Sequence, residues 1–131
     1  MKVSQVMSKA VVVGSEVSLR HAAKVMSRKN IANVIVIKEG KIRGYVSEQD
    51  VLRNLGKLDK PVTSSMSRGV TTIKADADVL DAGRIMAGKK IKRLPVLRKG
   101  KLVGAISFRD VIRHAKGSGS EGSGKGDFFF N

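Results

Sequence analysis

Residues 38–53 read KEGKIRGYVSEQDVLR, and within residues 89–113, KKIKRLPVLRKGKLVGAISFRDVIR, the same pattern returns displaced by 60 positions. Working outward, the register holds: Ala22, Met26, Lys29, Ile31, Val36, Gly40, Lys41, Gly44, Ser47, Asp50, Val51 and Arg53 recur as Ala82, Met86, Lys89, Ile91, Val96, Gly100, Lys101, Gly104, Ser107, Asp110, Val111 and Arg113. Val34/Leu94, Ile37/Leu97, Ile42/Leu102 and Val46/Ile106 exchange one aliphatic side chain for another, as core positions do. Nearer the start the offset falls to 59, because Met7-Ser8-Lys9 matches Met66-Ser67-Arg68, so one inserted residue is expected near Lys74 to Asp78. Self-similarity at a fixed period is the strongest organising signal a sequence offers.

Each copy carries the same order of elements. A short apolar run, Val11 to Val13 or Val70 to Ile73, predicts a strand. Ser18 and Asp78 then stand where a helix N-cap belongs, ahead of Leu19, Ala22, Ala23 and Met26, or Val79, Ala82, Gly83 and Met86, each an apolar stripe at helical spacing. Two strands follow, Val34 to Ile37 and Ile42 to Val46, then Leu94 to Leu97 and Leu102 to Ile106, with tight turns at Glu39-Gly40 and Lys99-Gly100. A second helix opens after Ser47 or Ser107 and is expected to end near Gly56 or Gly117. The fold class is therefore α/β (α+β), with β-α-β-β-α units at 1–60 and 61–116. A flexible Gly/Ser tail is expected over 117–131, ending in Phe128-Phe129-Phe130-Asn131. A unit of roughly 50 residues buries too little apolar surface to stand alone, so the two should pack as a pair, sheet to sheet.

The 131 residues include 26 Lys and Arg against 11 Asp and Glu, a formal charge of +15. Residues 1–60 hold 12 basic and 5 acidic groups and residues 61–116 hold 13 and 4, so the positive field belongs to the fold and not to a tail. Such a field concentrates anions, phosphates above all. With no Cys, a disulfide framework, a thiolate zinc site and a cysteine nucleophile are excluded. No apolar run approaches the roughly 18 to 20 residues of a membrane span, and the first ten residues lack a signal-peptide apolar stretch. A cytoplasmic protein without a membrane partner is expected. His21 and His114 have no nucleophile partner evident in sequence, and HExxH, GxSxG and GxxxxGK[ST] are all missing, so neither catalysis nor a metal site is expected.

Ser47-x-x-Asp50 and Ser107-x-x-Asp110 stand at strand-to-helix junctions. On chemistry alone the better reading is a capping box that satisfies backbone N–H groups at the helix start. The alternative is a ligand site, with the carboxylate accepting from ribose hydroxyls and the serine facing phosphate.

The doubled pattern, with its hairpin glycine, strand glycine and Ser-x-x-Asp in both copies, resembles a tandem CBS domain pair, the Bateman module, over about residues 1–115. The resemblance implies a pseudo-twofold pair with two clefts, a homodimer, and a regulatory role exercised by binding AMP, ADP, ATP or another adenosyl compound. The nucleotide would act as regulatory ligand, with no cofactor. It implies that Asp50 and Asp110 hold ribose while Ser47 and Ser107 lie near phosphate. One cleft would join Asp110, Ser107 and Ala105 to Ile31, Ala32 and the Val12 to Val13 strand. The other would join Asp50, Ser47 and Tyr45 to Thr72, Ile91, Lys92 and Arg93, the last two standing where relatives carry phosphate-contacting residues. A regulated partner protein is implied as well. The competing expectation, carried by charge alone, is a nucleic-acid-binding protein whose affinity falls steeply with salt.

Overall fold

The computed structural model describes residues 1–114. The first repeat holds β1 (Val12–Gly14), α1 (Leu19–Lys29), β2 (Asn33–Lys38), β3 (Lys41–Ser47) and α2 (Glu48–Arg53). The second holds β4 (Ile73–Lys74), α3 (Val79–Lys89), β5 (Arg93–Arg98), β6 (Lys101–Ser107) and α4 (Phe108–His114). Two three-stranded sheets result, ordered β1-β2-β3 and β4-β5-β6, each with its first pair parallel and its second antiparallel. The expected unit is present twice. The Gly/Ser tail and Phe128 to Phe130 lie outside the described residues.

Local chemistry explains the boundaries. Ser18 Oγ accepts the His21 N–H at 3.1 Å and Asp78 Oδ1 accepts the Leu80 N–H at 2.8 Å, so both expected N-caps are made. Ser18→Ala should cost about 1 kcal/mol in urea unfolding, the usual loss for an uncapped helix start. The hairpins turn through two positive-φ residues each, Glu39 and Gly40 at 54° and 79°, Lys99 and Gly100 at 52° and 78°, the twist that suits a two-residue hairpin. α2 stops at Arg53, short of Gly56, and a 3-10 turn over Leu55–Lys57 follows.

Between the leading Met-Ser match and the sheets, the structure departs from expectation. Val13 pairs with Val36 and Ile73 with Val96, so the offset is already 60 at the first strand. The inserted residue therefore lies between Arg68 and Ile73, not near Lys74 to Asp78. β4 is correspondingly short, and Val70 to Thr72 leave the ladder that was expected to hold them.

The two cores are exchanged at their edges. Val3 and Val6 are buried with Ile73, Val79, Ala82, Met86, Leu94, Val96 and Ile106 of the second repeat, while Val62 is buried with Leu19, Val34, Val36 and Val46 of the first. The backbone follows the same exchange: Val3 N–H donates to Ala77 O at 2.8 Å, Ser4 N–H to Ala75 O at 2.9 Å, and Ser8 and Ala105 exchange bonds of 2.8 and 2.9 Å. Equivalently, Ser67 and Tyr45 exchange bonds of 2.9 and 2.8 Å. Each repeat's leading turn thus closes the other repeat's sheet. Met26 and Met86 are buried within these cores.

Candidate functional site

Because the repeats are related by a pseudo-twofold axis, the loops after α1 and α3 face each other. Between them lies a cleft of about 560 Å³, within the size range of small-molecule sites. Asn30, Ile31, Ala32, Asn33 and Ile35 form one wall, and their sequence equivalents Lys90, Ile91, Lys92, Arg93 and Pro95 form the other. Tyr45, half-buried and paired with Ile35 in the sheet, and the Gly69-Val70-Thr71 segment complete the lining. That segment is where the inserted residue falls, so the approach to the cleft from the second repeat is one residue longer than its counterpart.

The lining is chemically lopsided. The first-repeat wall offers two amides and aliphatic side chains; the second-repeat wall offers two lysines and an arginine, and no carboxylate lines the cleft. Ile31, Ile35, Val70 and Ile91 supply apolar surface for a flat base, and Tyr45 is the one aromatic ring in the lining. Phe108, the other aromatic of the described residues, is exposed on α4.

The expected site residues are distributed differently from the two clefts drawn from sequence. Ile31 and Ala32, assigned to the Asp110 cleft, share one cavity with Tyr45, Ile91, Lys92 and Arg93, assigned to the Asp50 cleft. The reason is backbone hydrogen bonding within each repeat: Glu48 N–H donates to Ala32 O at 2.9 Å and Phe108 N–H to Lys92 O at 2.7 Å, which seats each Ser-x-x-Asp beside the loop of its own repeat. Thr71 lines the cleft while Thr72 faces a separate hollow with Lys74, Asp76 and Arg98, since adjacent residues of extended chain point oppositely. Val13 is buried in the first core, and Ala105 is bonded to Ser8.

Neither Asp50 nor Asp110 lines the cavity; both close capping boxes. Asp50 Oδ2 accepts the Ser47 N–H at 2.8 Å and the Ser47 hydroxyl at 3.0 Å, and the Asp50 N–H donates to Ser47 Oγ at 3.2 Å. Asp110 Oδ2 accepts the Ser107 N–H at 2.9 Å, and the Asp110 N–H donates to Ser107 Oγ at 3.1 Å. Among the described residues the second oxygen of each carboxylate pairs with a guanidinium three residues on, Arg53 at 3.4 Å and Arg113 at 3.7 Å. Lone pairs therefore remain for a hydroxyl donor. Sequence reasoning missed Asn30, Asn33 and Lys90; the signal available was their place, 60 apart, immediately after the two equivalent helices.

Among the described residues no helix is long and apolar enough to cross a membrane. An uncharacterized 17.7 kDa protein of Acidianus ambivalens is 33% identical over 117 residues, covering 86% of this chain and 71% of its own length. Other curated relatives are longer, and the chain spans 34% of one and 13% of another. Among solved structures, CBSX2 in complex with AMP superposes with a TM-score of 0.76 at 26% identity, over 87% of this chain and 95% of that one. The CBS domain pair of protein MJ0100, in complex with 5′-methylthioadenosine and S-adenosyl-L-methionine, gives 0.71 at 27% identity, over 89% and 97%. The CBS domain model matches residues 3–57 and 62–117, one match for each half of the doubled architecture, and the chain belongs to the CBS domain family as a tandem pair.

Proposed function

We propose that this chain is a regulatory module that binds an adenine nucleotide or related adenosyl compound in the cleft between its repeats and passes the bound state to a partner protein. The observation that carries the reading is the cleft itself, with aliphatic and amide groups suited to a nucleoside on one side and three cations suited to phosphate on the other. Two structures of the same architecture hold adenosine-based ligands, AMP in one and methylthioadenosine with S-adenosylmethionine in the other. The ligand acts as a signal and undergoes no reaction. Asp50 and Asp110, on helices whose first N–H groups bond to the lining residues Ala32 and Lys92, serve ribose through the carboxylate oxygen that the cap leaves over.

Calorimetric titration of nucleic-acid-free protein with AMP and then ATP at moderate salt tests this. Saturable heat is expected. Asp50→Asn or Asp110→Asn keeps an acceptor for the cap while removing the charge, and the variant that faces ribose should bind about ten- to a hundredfold more weakly, the loss of a charged hydrogen-bond set. Absence of heat with both nucleotides would leave the two aspartates as helix caps alone. Binding to mixed oligonucleotides with a steep salt dependence would favour the nucleic-acid reading instead.

A further inference from the structure

We infer that the cleft selects adenine nucleotides with two or more phosphates, and that Lys90 is the residue that reads the charge beyond the first; this rests on the adenosyl-ligand reading above. The two facing walls are sequence equivalents on the same local fold, so their difference lies in side chains and not in backbone. Asn30, Ala32 and Asn33 on one side stand opposite Lys90, Lys92 and Arg93 on the other, with no carboxylate in the lining. With all three cations exposed at a half-open cleft, such an arrangement repels a cation, is indifferent to a neutral thioether and attracts an anion more strongly the greater its charge, an effect that salt screens. A sulfonium ligand is thereby disfavoured. A monophosphate at −2 leaves one of the three cations uncompensated, whereas a di- or triphosphate matches or exceeds them.

Lys90 stands apart from the other two because the fold does not ask for it. It occupies the left-handed region, φ 56° and ψ 44°, at the residue that ends α3, as Asn30 does at φ 55° and ψ 51° after α1. Asn reaches this region at low cost, and Lys does not. In both repeats the structural work is done by the backbone, Asn30 N–H bonding to Met26 O and Lys90 N–H to Met86 O. Among the described residues Lys90 forms no ion pair, and it is exposed on the rim of the cleft. A costly residue thus replaces the cheap one on the wall that faces the ligand, and what it adds there is a positive charge.

The test is calorimetry with adenosine, AMP, ADP, ATP and S-adenosylmethionine on the parent chain, Lys90→Asn and Lys90→Arg, with ligand-free melting curves for all three. In the parent, ADP should bind about tenfold more tightly than AMP, the gain of one charge-assisted contact. Lys90→Asn should abolish that step, weakening ADP more than AMP and leaving adenosine, which carries no phosphate, unchanged, with a melting temperature equal to or above the parent's. Lys90→Arg should retain the step. Equal affinity for AMP and ADP, S-adenosylmethionine binding as tightly as ADP, or an equal loss of adenosine and ADP in Lys90→Asn would overturn the inference while leaving the adenosyl reading in place. If none of the five compounds bound, both would fall.

Discussion

Deleting residues 1–7 should destabilise the second repeat more than the first, although those residues precede the first in sequence. Val3 and Val6 are buried among side chains of the second sheet and its helices, and the backbone of Val3 and Ser4 bonds to Ala77 and Ala75. Burying a valine is worth about 1.5–3 kcal/mol, so losing two removes about 3–6 kcal/mol, against a total of about 5–15 kcal/mol for a domain. Hydrogen exchange read by mass spectrometry should show residues 73–113 losing protection while residues 12–53 keep most of theirs. Val62→Ala is the mirror experiment and should weaken the first repeat, by about 2 kcal/mol for truncating a fully buried side chain. Equal loss in both repeats on deleting 1–7 would show that the exchange is not the source of their stability.

Gly44→Ala should produce the largest effect of any single added methyl group among the described glycines. A Cβ at Gly44 would overlap the Ser67 carbonyl oxygen and stand 3.0 Å from the Met66 sulfur. Ser67 cannot yield, since both its backbone groups are bonded to Tyr45. The expected loss is about 3 kcal/mol, the upper end for overpacking, or roughly 10–15 °C in melting temperature for a domain of this size. Gly104→Ala meets the Met7 sulfur at 2.7 Å and the Ser8 carbonyl oxygen at 2.9 Å. There the thioether can turn aside while the Ser8 carbonyl, bonded to Ala105 as Ser67 is to Tyr45, cannot; its overlap is smaller, so about 2 kcal/mol is expected. Gly88→Ala on α3, with nothing within 4 Å, is the control and should stabilise by about 0.5–1 kcal/mol. Chemical denaturation of the three variants gives the order directly; a Gly44→Ala protein as stable as the parent would mean that the leading segments do not lie where they are described.

Much of the local architecture was legible because it rests on short-range chemistry. The caps at Ser18 and Asp78, the hairpins at Gly40 and Gly100, and the aliphatic strands all follow from residues within a few positions of one another. The Ser-x-x-Asp pairs read from chemistry as capping boxes, and such boxes are present. The Met-Ser match at offset 59 was visible too, but its meaning was not: Met7 and Met66 cover the glycines of the opposite sheet.

The sequence by itself determined the doubled unit, its element order and the polarity of its charge, since periodicity, turn residues and net charge need no knowledge of distant contacts. Tertiary structure alone decided which sheet each leading segment would complete, where the inserted residue would fall, and that Ile31, Ala32, Ile91, Lys92 and Arg93 would share one cleft. The physical reason lies in the repeat. Two nearly equivalent sheets offer Val3 nearly equivalent apolar seats, so local chemistry cannot choose between them. The choice is made by contacts between residues some seventy positions apart, and the faces brought together by that choice build the site.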